Sequence, residues 1–134
     1  MTRAHPTILL IDHNEKDRTY YAQQLRILIP NCIVLEATDG RSGLALYNSK
    51  QIDCLILELE LPDQSGFDVL IKVVNQVHRL PVAIVILTRL DSPRLALLAR
   101  VKRIRAVLVK HSTLGDELAP VIQRAIAENS EGLW

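Results

Sequence analysis

Six side chains able to do polar chemistry follow the ends of short apolar runs in this chain: Asp12 and His13 after Thr7–Ile11, Glu58 after Cys54–Leu57, Thr88 after Val82–Leu87, and Lys110 with His111 after Ala106–Val109. Carboxylate oxygens suit a hard divalent cation, and an imidazole beside them suits a softer one. A hydroxyl and an ammonium group can receive anionic oxygens. These residues form a site only if the fold brings the ends of the runs to one edge.

The runs themselves, with a fifth at Cys32–Ala37, are rich in Ile, Val and Leu and are bounded by polar turns. They read as strands buried on both faces. Between them lie stretches of helical period: Tyr21, Leu25 and Leu28 in one, and Phe67, Leu70, Val74 and Val77 in another. Asn14 is placed to cap the first helix with Asp17 three residues on, and Ser92-Pro93 reads as the start of the fourth. A last helix is expected from about Asp116, with Pro120 near its first turn or kinking it. Strand and helix alternate five times, so the expected fold is α/β: a five-stranded parallel sheet with helices on both faces, joined by right-handed crossovers. In such a sheet the functional crevice lies at the carboxyl ends of the strands, where the six residues stand.

The chain of 134 residues, 49% hydrophobic, fits one domain with a sizeable core and excludes a disordered chain. The domain is expected over residues 1–128, with 129–134 a tail or the start of a linker. No apolar run reaches the length of a membrane span, and the apolar stretch near the N-terminus is too short for a signal peptide, so a cytoplasmic protein is expected. Only Tyr20, Tyr21, Tyr47, Phe67 and Trp134 are aromatic, which leaves almost no material for stacking single-stranded nucleic acid. Cys32 and Cys54 fall within expected strands and read as buried thiols rather than a disulfide or a zinc site. The net charge of +1 is unevenly spread. Residues 89–111 hold Arg89, Arg94, Arg100, Lys102, Arg103, Arg105 and Lys110 against Asp91 alone, a local +6 set against −5 elsewhere.

From Ile8-Leu9-Leu10-Ile11-Asp12, through Pro62-Asp63-Gln64-Ser65-Gly66-Phe67, to Leu108-Val109-Lys110, the sequence resembles the receiver domain of two-component response regulators. The proline–glycine loop after the third strand is the most specific part of the match. The resemblance implies phosphoryl transfer from a partner's phosphohistidine to an aspartate at the end of that strand, aided by Mg²⁺, with positioning and charge neutralisation carrying the chemistry. It maps Asp12 onto the first metal-holding acid, Thr88 onto the hydroxyl and Lys110 onto the lysine that receive the phosphoryl oxygens. Four positions depart. Glu58 stands at the phosphoacceptor position, where its extra methylene displaces the oxygens by roughly 1 Å. His13 replaces the second acid, Val107 the aromatic reporter, and His111 the following proline, where a trans bond is expected.

The resemblance therefore implies a degenerate receiver: not an enzyme, independent of phosphorylation, and acting through protein–protein contacts. Glu58 is read either as a partial mimic of the phosphorylated state or as a relict paired with Lys110. The alternatives are an active phosphoacceptor that uses Glu58 with Mg²⁺, or the N-terminal receiver module of a larger kinase or regulator. No cofactor is expected; if Mg²⁺ bound at this weakened site, its ligands would be Asp12, Glu58 and the Glu60 backbone carbonyl. A transition metal on Asp12, His13 and Glu58 is a weaker reading. Asp53 should lie at the opposite end of the sheet and Glu60 in a loop, so neither is expected to substitute as acceptor. The expected partner is a sensor histidine kinase or another signalling protein, not a membrane or nucleic acid. A contact surface is expected on Arg94, Arg100, Lys102, Arg103 and Arg105, and a homodimer would use the same fourth helix and fifth strand.

Overall fold

The computed structural model describes residues 5–76 and 82–131. Five strands alternate with five helices: β1 (Thr7–Ile11), α1 (Glu15–Leu28), β2 (Ile33–Ala37), α2 (Gly40–Ser49), β3 (Cys54–Leu57), α3 (Gly66–Val74), β4 (Ala83–Thr88), α4 (Leu95–Leu98), β5 (Ile104–Val109) and α5 (Gly115–Glu131). All strand pairs are parallel, in the order β2-β1-β3-β4-β5. This is the expected five-stranded α/β fold.

The pleat divides the core into two layers, because successive strand residues face opposite sides. Ile8, Leu10, Cys54, Ile56, Ala83, Val85 and Leu87 pack with α1 and α5, whereas Leu9, Ile11, Leu55, Leu57, Ile84 and Ile86 pack with α2, α3 and α4. β1, β3 and β4 are covered on both faces, which is why they read as unbroken apolar runs.

Local chemistry starts the helices. Asn14 Oδ1 accepts the Asp17 N–H at 2.9 Å, Asp39 Oδ1 the Ser42 N–H at 2.8 Å, and Ser65 Oγ the Phe67 N–H at 3.1 Å. At the start of α5, Glu117 reaches back to the Leu114 N–H at 3.1 Å. α1 gives way to β2 through Asn31, whose φ of 64° lies in the left-handed region that asparagine tolerates.

Several boundaries differ from expectation. β2 begins at Ile33, so Cys32 precedes the strand and is only half-buried, its thiol turned to the carbonyl of Leu25 in the last turn of α1. Cys54 is fully buried, and burial pushes its thiol well up. β4 is displaced by one residue and β5 starts two residues early. Between them the register skips Arg105, a bulge on the edge strand. The fourth helix is a single turn. Ser92 Oγ takes the Arg94 N–H in a local turn at 3.2 Å, and the segment buries only Leu95 and Leu98, too little to offset the cost of a longer helix. Pro120 sits in the second turn of α5, where its missing N–H leaves the Asp116 carbonyl without a helical donor. α5 runs past residue 128 to Glu131, and Val77 of the α3 stripe lies outside the described residues. No described peptide bond is cis, so the Lys110–His111 bond is trans.

One glycine is set by close approach. A Cβ on Gly66 would stand 2.5 Å from Leu59 Cα and 2.6 Å from the Glu58 carbonyl oxygen, whereas one on Gly43 would meet the end of the Ile11 side chain at 2.4 Å. Backbone cannot yield as a side-chain tip can. Gly66→Ala is therefore expected to cost about 2–3 kcal/mol, and Gly43→Ala clearly less. Thermal unfolding followed by circular dichroism tests this order, and an equal loss in both variants would refute it.

Candidate functional site

The ladder continues one residue past the strand ends: the Asp12 N–H donates to the Ala37 carbonyl and the Glu58 N–H to the Ile11 carbonyl, both at 3.0 Å. That extension sets Asp12 and Glu58 side by side at the carboxyl edge of the sheet. Thr88 ends β4 and Lys110 follows β5, so the residues singled out by sequence meet there. Asp12, Glu58 and Thr88 are 1%, 2% and 0% exposed, and two buried carboxylates in one place demand a partner.

That partner is Lys110. Its ammonium lies 2.6 Å from Asp12 Oδ2, 3.0 Å from Glu58 Oε2 and 3.0 Å from Asp17 Oδ2. The remaining oxygens are occupied as well. Glu58 Oε1 accepts the Thr88 hydroxyl in a short hydrogen bond and the Glu60 N–H at 3.0 Å, while Glu58 Oε2 also accepts the Arg89 N–H at 3.1 Å. Thr88 Oγ1 in turn accepts the Leu90 N–H at 3.1 Å. Asp12 Oδ1 accepts the Asn14 N–H at 2.9 Å, and Asp12 Oδ2 meets no donor besides the ammonium among the described residues.

Two groups in this set were not assigned a site role from sequence. Asp17 read as a first-turn helix acid; folded, its Oδ2 takes both Lys110 and the Arg89 guanidinium, the latter at 2.9 Å. Arg89 thus binds the site twice, through its backbone to Glu58 and through its side chain to Asp17. The helical stripe gave a faint signal for Asp17, which stands one turn before buried Tyr21. Lys110 is 93 positions away, and no local pattern couples them. Beside this cluster, Asp17, Tyr21, Arg89, Lys110 and His111 line an open cleft of about 400 Å³.

Three carboxylates against Lys110 and Arg89 give the cluster a formal charge of −1. Burial pushes the Asp12 carboxyl above its usual range, and Lys110 offsets this only in part. For Lys110, burial pulls downward but Asp12, Glu58 and Asp17 outweigh it, holding the ammonium above its ordinary value. For Asp17, burial pulls upward but Arg89 and Lys110 outweigh it and keep the carboxyl low.

The other expected positions are dispersed. His13 is exposed and turns away from Asp12 and Glu58: its Nδ1 lies 3.1 Å from the Glu60 carbonyl oxygen, donating in the Nδ1–H tautomer. Glu60 is exposed in the loop, and Asp53 lies at the amino end of the sheet, where its Oδ2 accepts the Thr7 N–H at 2.7 Å. The loop after β3 is fixed by Asp63, whose carboxylate accepts the Gly40 and Arg41 N–H groups at 2.8 and 2.9 Å, bonds that lower its pKa. Val107 is half-buried against the α2–α3–α4 layer. His111 is exposed, 4.0 Å from Asp91. Of the basic surface residues, Arg94 precedes α4, Arg100, Lys102 and Arg103 occupy the turns after it, and Arg105 is the bulged residue of β5.

Mg²⁺ asks for hard oxygen donors in near-octahedral array. Here Asp12 and Glu58 are turned onto an ammonium and the Glu60 carbonyl onto His13, and no described group of three His, Cys, Asp or Glu side chains stands in a metal-holding arrangement. The residues as arranged do not fit the ion.

Comparison with known proteins locates this geometry. The family model described as the response regulator receiver domain matches residues 8–121. Among solved structures, a response regulator receiver domain protein from Clostridium thermocellum is 26% identical with a TM-score of 0.77, covering 93% of this chain and 97% of that one. The signal receiver domain of an HD domain-containing protein from Pseudomonas fluorescens Pf-5 is also 26% identical, with a TM-score of 0.77 and coverage of 95% and 98%. A CheY-like receiver domain protein from Methanospirillum hungatei JF-1 shares the fold at 19% identity, with a TM-score of 0.83 and coverage of 96% and 99%. No curated protein matches this sequence.

Removing the ammonium should steepen the gain in stability that the raised Asp12 carboxyl gives on acidification. Lys110→Met leaves two buried carboxylates unpaired and is expected to cost about 3–5 kcal/mol at neutral pH. A carboxyl raised by burial binds its proton more tightly folded than unfolded, so the variant should regain stability as pH falls from 7 toward 5. In the parent protein Lys110 stays charged across that range and its contribution is retained, being lost only as pH rises through its elevated pKa. Urea unfolding at several pH values measures both, and a variant that gains no more stability on acidification than the parent would contradict this account.

Proposed function

The chain belongs to the response regulator receiver domain family, and on that premise we propose that it is a receiver whose switch is held by Glu58 rather than set by phosphorylation. The family is one of two-component signalling modules, and membership implies contact with signalling partners such as kinases. No described helix is long and apolar enough to cross a membrane.

The observation that carries the reading is the set of contacts to the Glu58 carboxylate. The groups that the family resemblance assigns to phosphoryl oxygens, Thr88 and Lys110, are both engaged by Glu58 itself. The longer side chain supplies the reach. With the Arg89 N–H also on Glu58, the segment after β4 is anchored to the end of β3 without any added group. A single carboxylate carries less charge and fewer oxygens than a phosphoryl group, so it stands in for part of that group's contacts only. The cost of burying it is met by Lys110, Thr88 and two backbone N–H groups.

Two further features support independence from phosphorylation. Both Glu58 oxygens are occupied, so neither is free to attack a phosphorus atom, and the oxygen donors expected for Mg²⁺ are bonded to Lys110 and His13. The protein then signals by presenting its surface, and its partners read a fixed arrangement of the β4–α4 segment.

Two measurements test the proposal. Treatment with a small acyl phosphate and Mg²⁺, followed by intact-mass spectrometry, should leave the mass unchanged; a species heavier by about 80 Da, one added phosphoryl group, would establish the active-acceptor alternative. Glu58→Gln should cost about 2 kcal/mol, since its amide offers a donor toward groups that are themselves donors. Amide resonances of residues 88–91 should move with it, and if they stay in place Glu58 does not hold the segment.

A further inference from the structure

Tyr21 is buried on the inner face of α1, and its hydroxyl crosses to the segment that follows β5. Burial pushes the phenol above its ordinary pKa, so it stays protonated and donates. The proton goes to the Thr113 carbonyl at 2.8 Å, with the Lys110 carbonyl 3.4 Å away as a second, weaker acceptor. Among the described residues no other donor meets the Thr113 carbonyl. A buried carbonyl needs such a donor, so this hydroxyl has a defined task beyond the packing of its ring.

The turn that the hydroxyl spans is the one that carries Lys110. Lys110–Ser112 form one turn of 3-10 helix, closed by the Thr113 N–H on the Lys110 carbonyl at 3.1 Å and by the Thr113 hydroxyl on the Val109 carbonyl at 3.0 Å. His111 and Ser112 are exposed, and the turn gives no apolar side chain to the core, so hydrogen bonds rather than packing hold it. Asp17 stands four residues before Tyr21 on the same face of α1 and takes the ammonium of the same lysine at 3.0 Å. One helix face therefore holds both ends of Lys110, the backbone turn through Tyr21 and the charge through Asp17. The adjacent Tyr20 acts elsewhere: its hydroxyl accepts the Gly115 N–H at 3.0 Å, at the start of α5.

We propose that Tyr21 is a positioning residue for Lys110: its hydroxyl fixes the turn after β5 at the place from which the ammonium reaches Asp12 and Glu58. A lysine carries its charge on a long flexible stem, so the side chain alone does not decide which acid it serves. Three carboxylates compete for this ammonium, and Asp17 is the one nearest solvent, its side chain 22% exposed against 2% for Glu58. If the turn relaxed outward into the open cleft beside it, Asp17 would keep the ammonium and Glu58 would lose it. The bond from Tyr21 to Thr113 opposes that shift. The proposal deepens the reading that Glu58 holds the switch through Lys110, and it rests on that reading.

Tyr21→Phe keeps the ring and removes only the oxygen, and the isotope-labelled full chain is followed by heteronuclear NMR. Exchange of the Lys110 ammonium protons with water should rise roughly fivefold, the factor that one neutral hydrogen bond is worth. The Glu60 and Arg89 amides, which donate to Glu58, should shift with it. Tyr20→Phe should move the Gly115 amide and leave the Lys110 ammonium as in the parent. Val73→Ala opens a cavity in the α2–α3–α4 layer and lowers the melting temperature, and it too should leave Lys110 unchanged. The proposal is overturned if Tyr21→Phe leaves ammonium exchange at the parent rate. It is equally overturned if Tyr20→Phe or Val73→Ala accelerates that exchange as much, because loosening of α1 or of the whole domain then accounts for the effect. Ammonium exchange reports on Lys110 itself, whereas the amides of residues 88–91 in Glu58→Gln report on Glu58, so the two readings fail separately.

Discussion

One ammonium group holds together the polar end of this domain. The Lys110 side chain is 6% exposed, and its ammonium faces carboxylates from three separate elements: Asp12 after β1, Asp17 in α1 and Glu58 after β3. Removing water from two carboxylates costs several kcal/mol each unless charge and hydrogen bonds replace it. The ammonium supplies three donors, and the Thr88 hydroxyl with the backbone N–H groups of Asn14, Glu60 and Arg89 supplies the rest. The order of the sheet makes this feasible, because β1 and β3 are neighbours and their extended ladder places the two acids on the same edge.

That constraint propagates outward through the segment after β4. Thr88 and the Arg89 N–H both bond to Glu58, and the Arg89 side chain crosses to Asp17 in α1. The segment that leads into α4 is therefore tied to two other elements before it reaches the surface. Downstream it is fastened by Leu95, Leu98 and Ile104, which leaves only its outer residues free to meet a partner. At the end of β3 the Glu58 carboxylate contacts both the Thr88 hydroxyl and the Lys110 ammonium. His13 lies against the Glu60 carbonyl oxygen on the exposed side of the same edge.

Much of this was legible in the amino-acid order. The five apolar runs gave the strands because β1, β3 and β4 are buried on both faces, so hydrophobicity there is continuous; β1 and β3 have the expected limits and β4 is shifted by one residue. The edge strands were read less well. β5 is half-exposed, with Arg105 bulged out of it, so its charged start at Ile104-Arg105 does not resemble a strand. Cys32 fell outside β2 because the turn at Asn31 takes one residue more than apolarity suggests. The fourth helix starts at Leu95 rather than after Ser92, because Ser92-Pro93 forms a local turn and only Leu95 and Leu98 of the helix go inside.

The sequence by itself determined the fold class, the edge on which the chemistry gathers and the identities of Asp12, Glu58, Thr88 and Lys110. It could do so because strand runs and the residues just after them are local facts, fixed by hydrophobic period and by the direction of a parallel sheet. Only the tertiary structure decided how those residues are joined. That Lys110 takes Asp17 as well, that Arg89 binds twice, that His13 faces a carbonyl and that Tyr21 reaches the turn after β5 all depend on side-chain directions and on distances between elements far apart in the chain. Electrostatic pairing acts across space, and no spacing along the sequence encodes it.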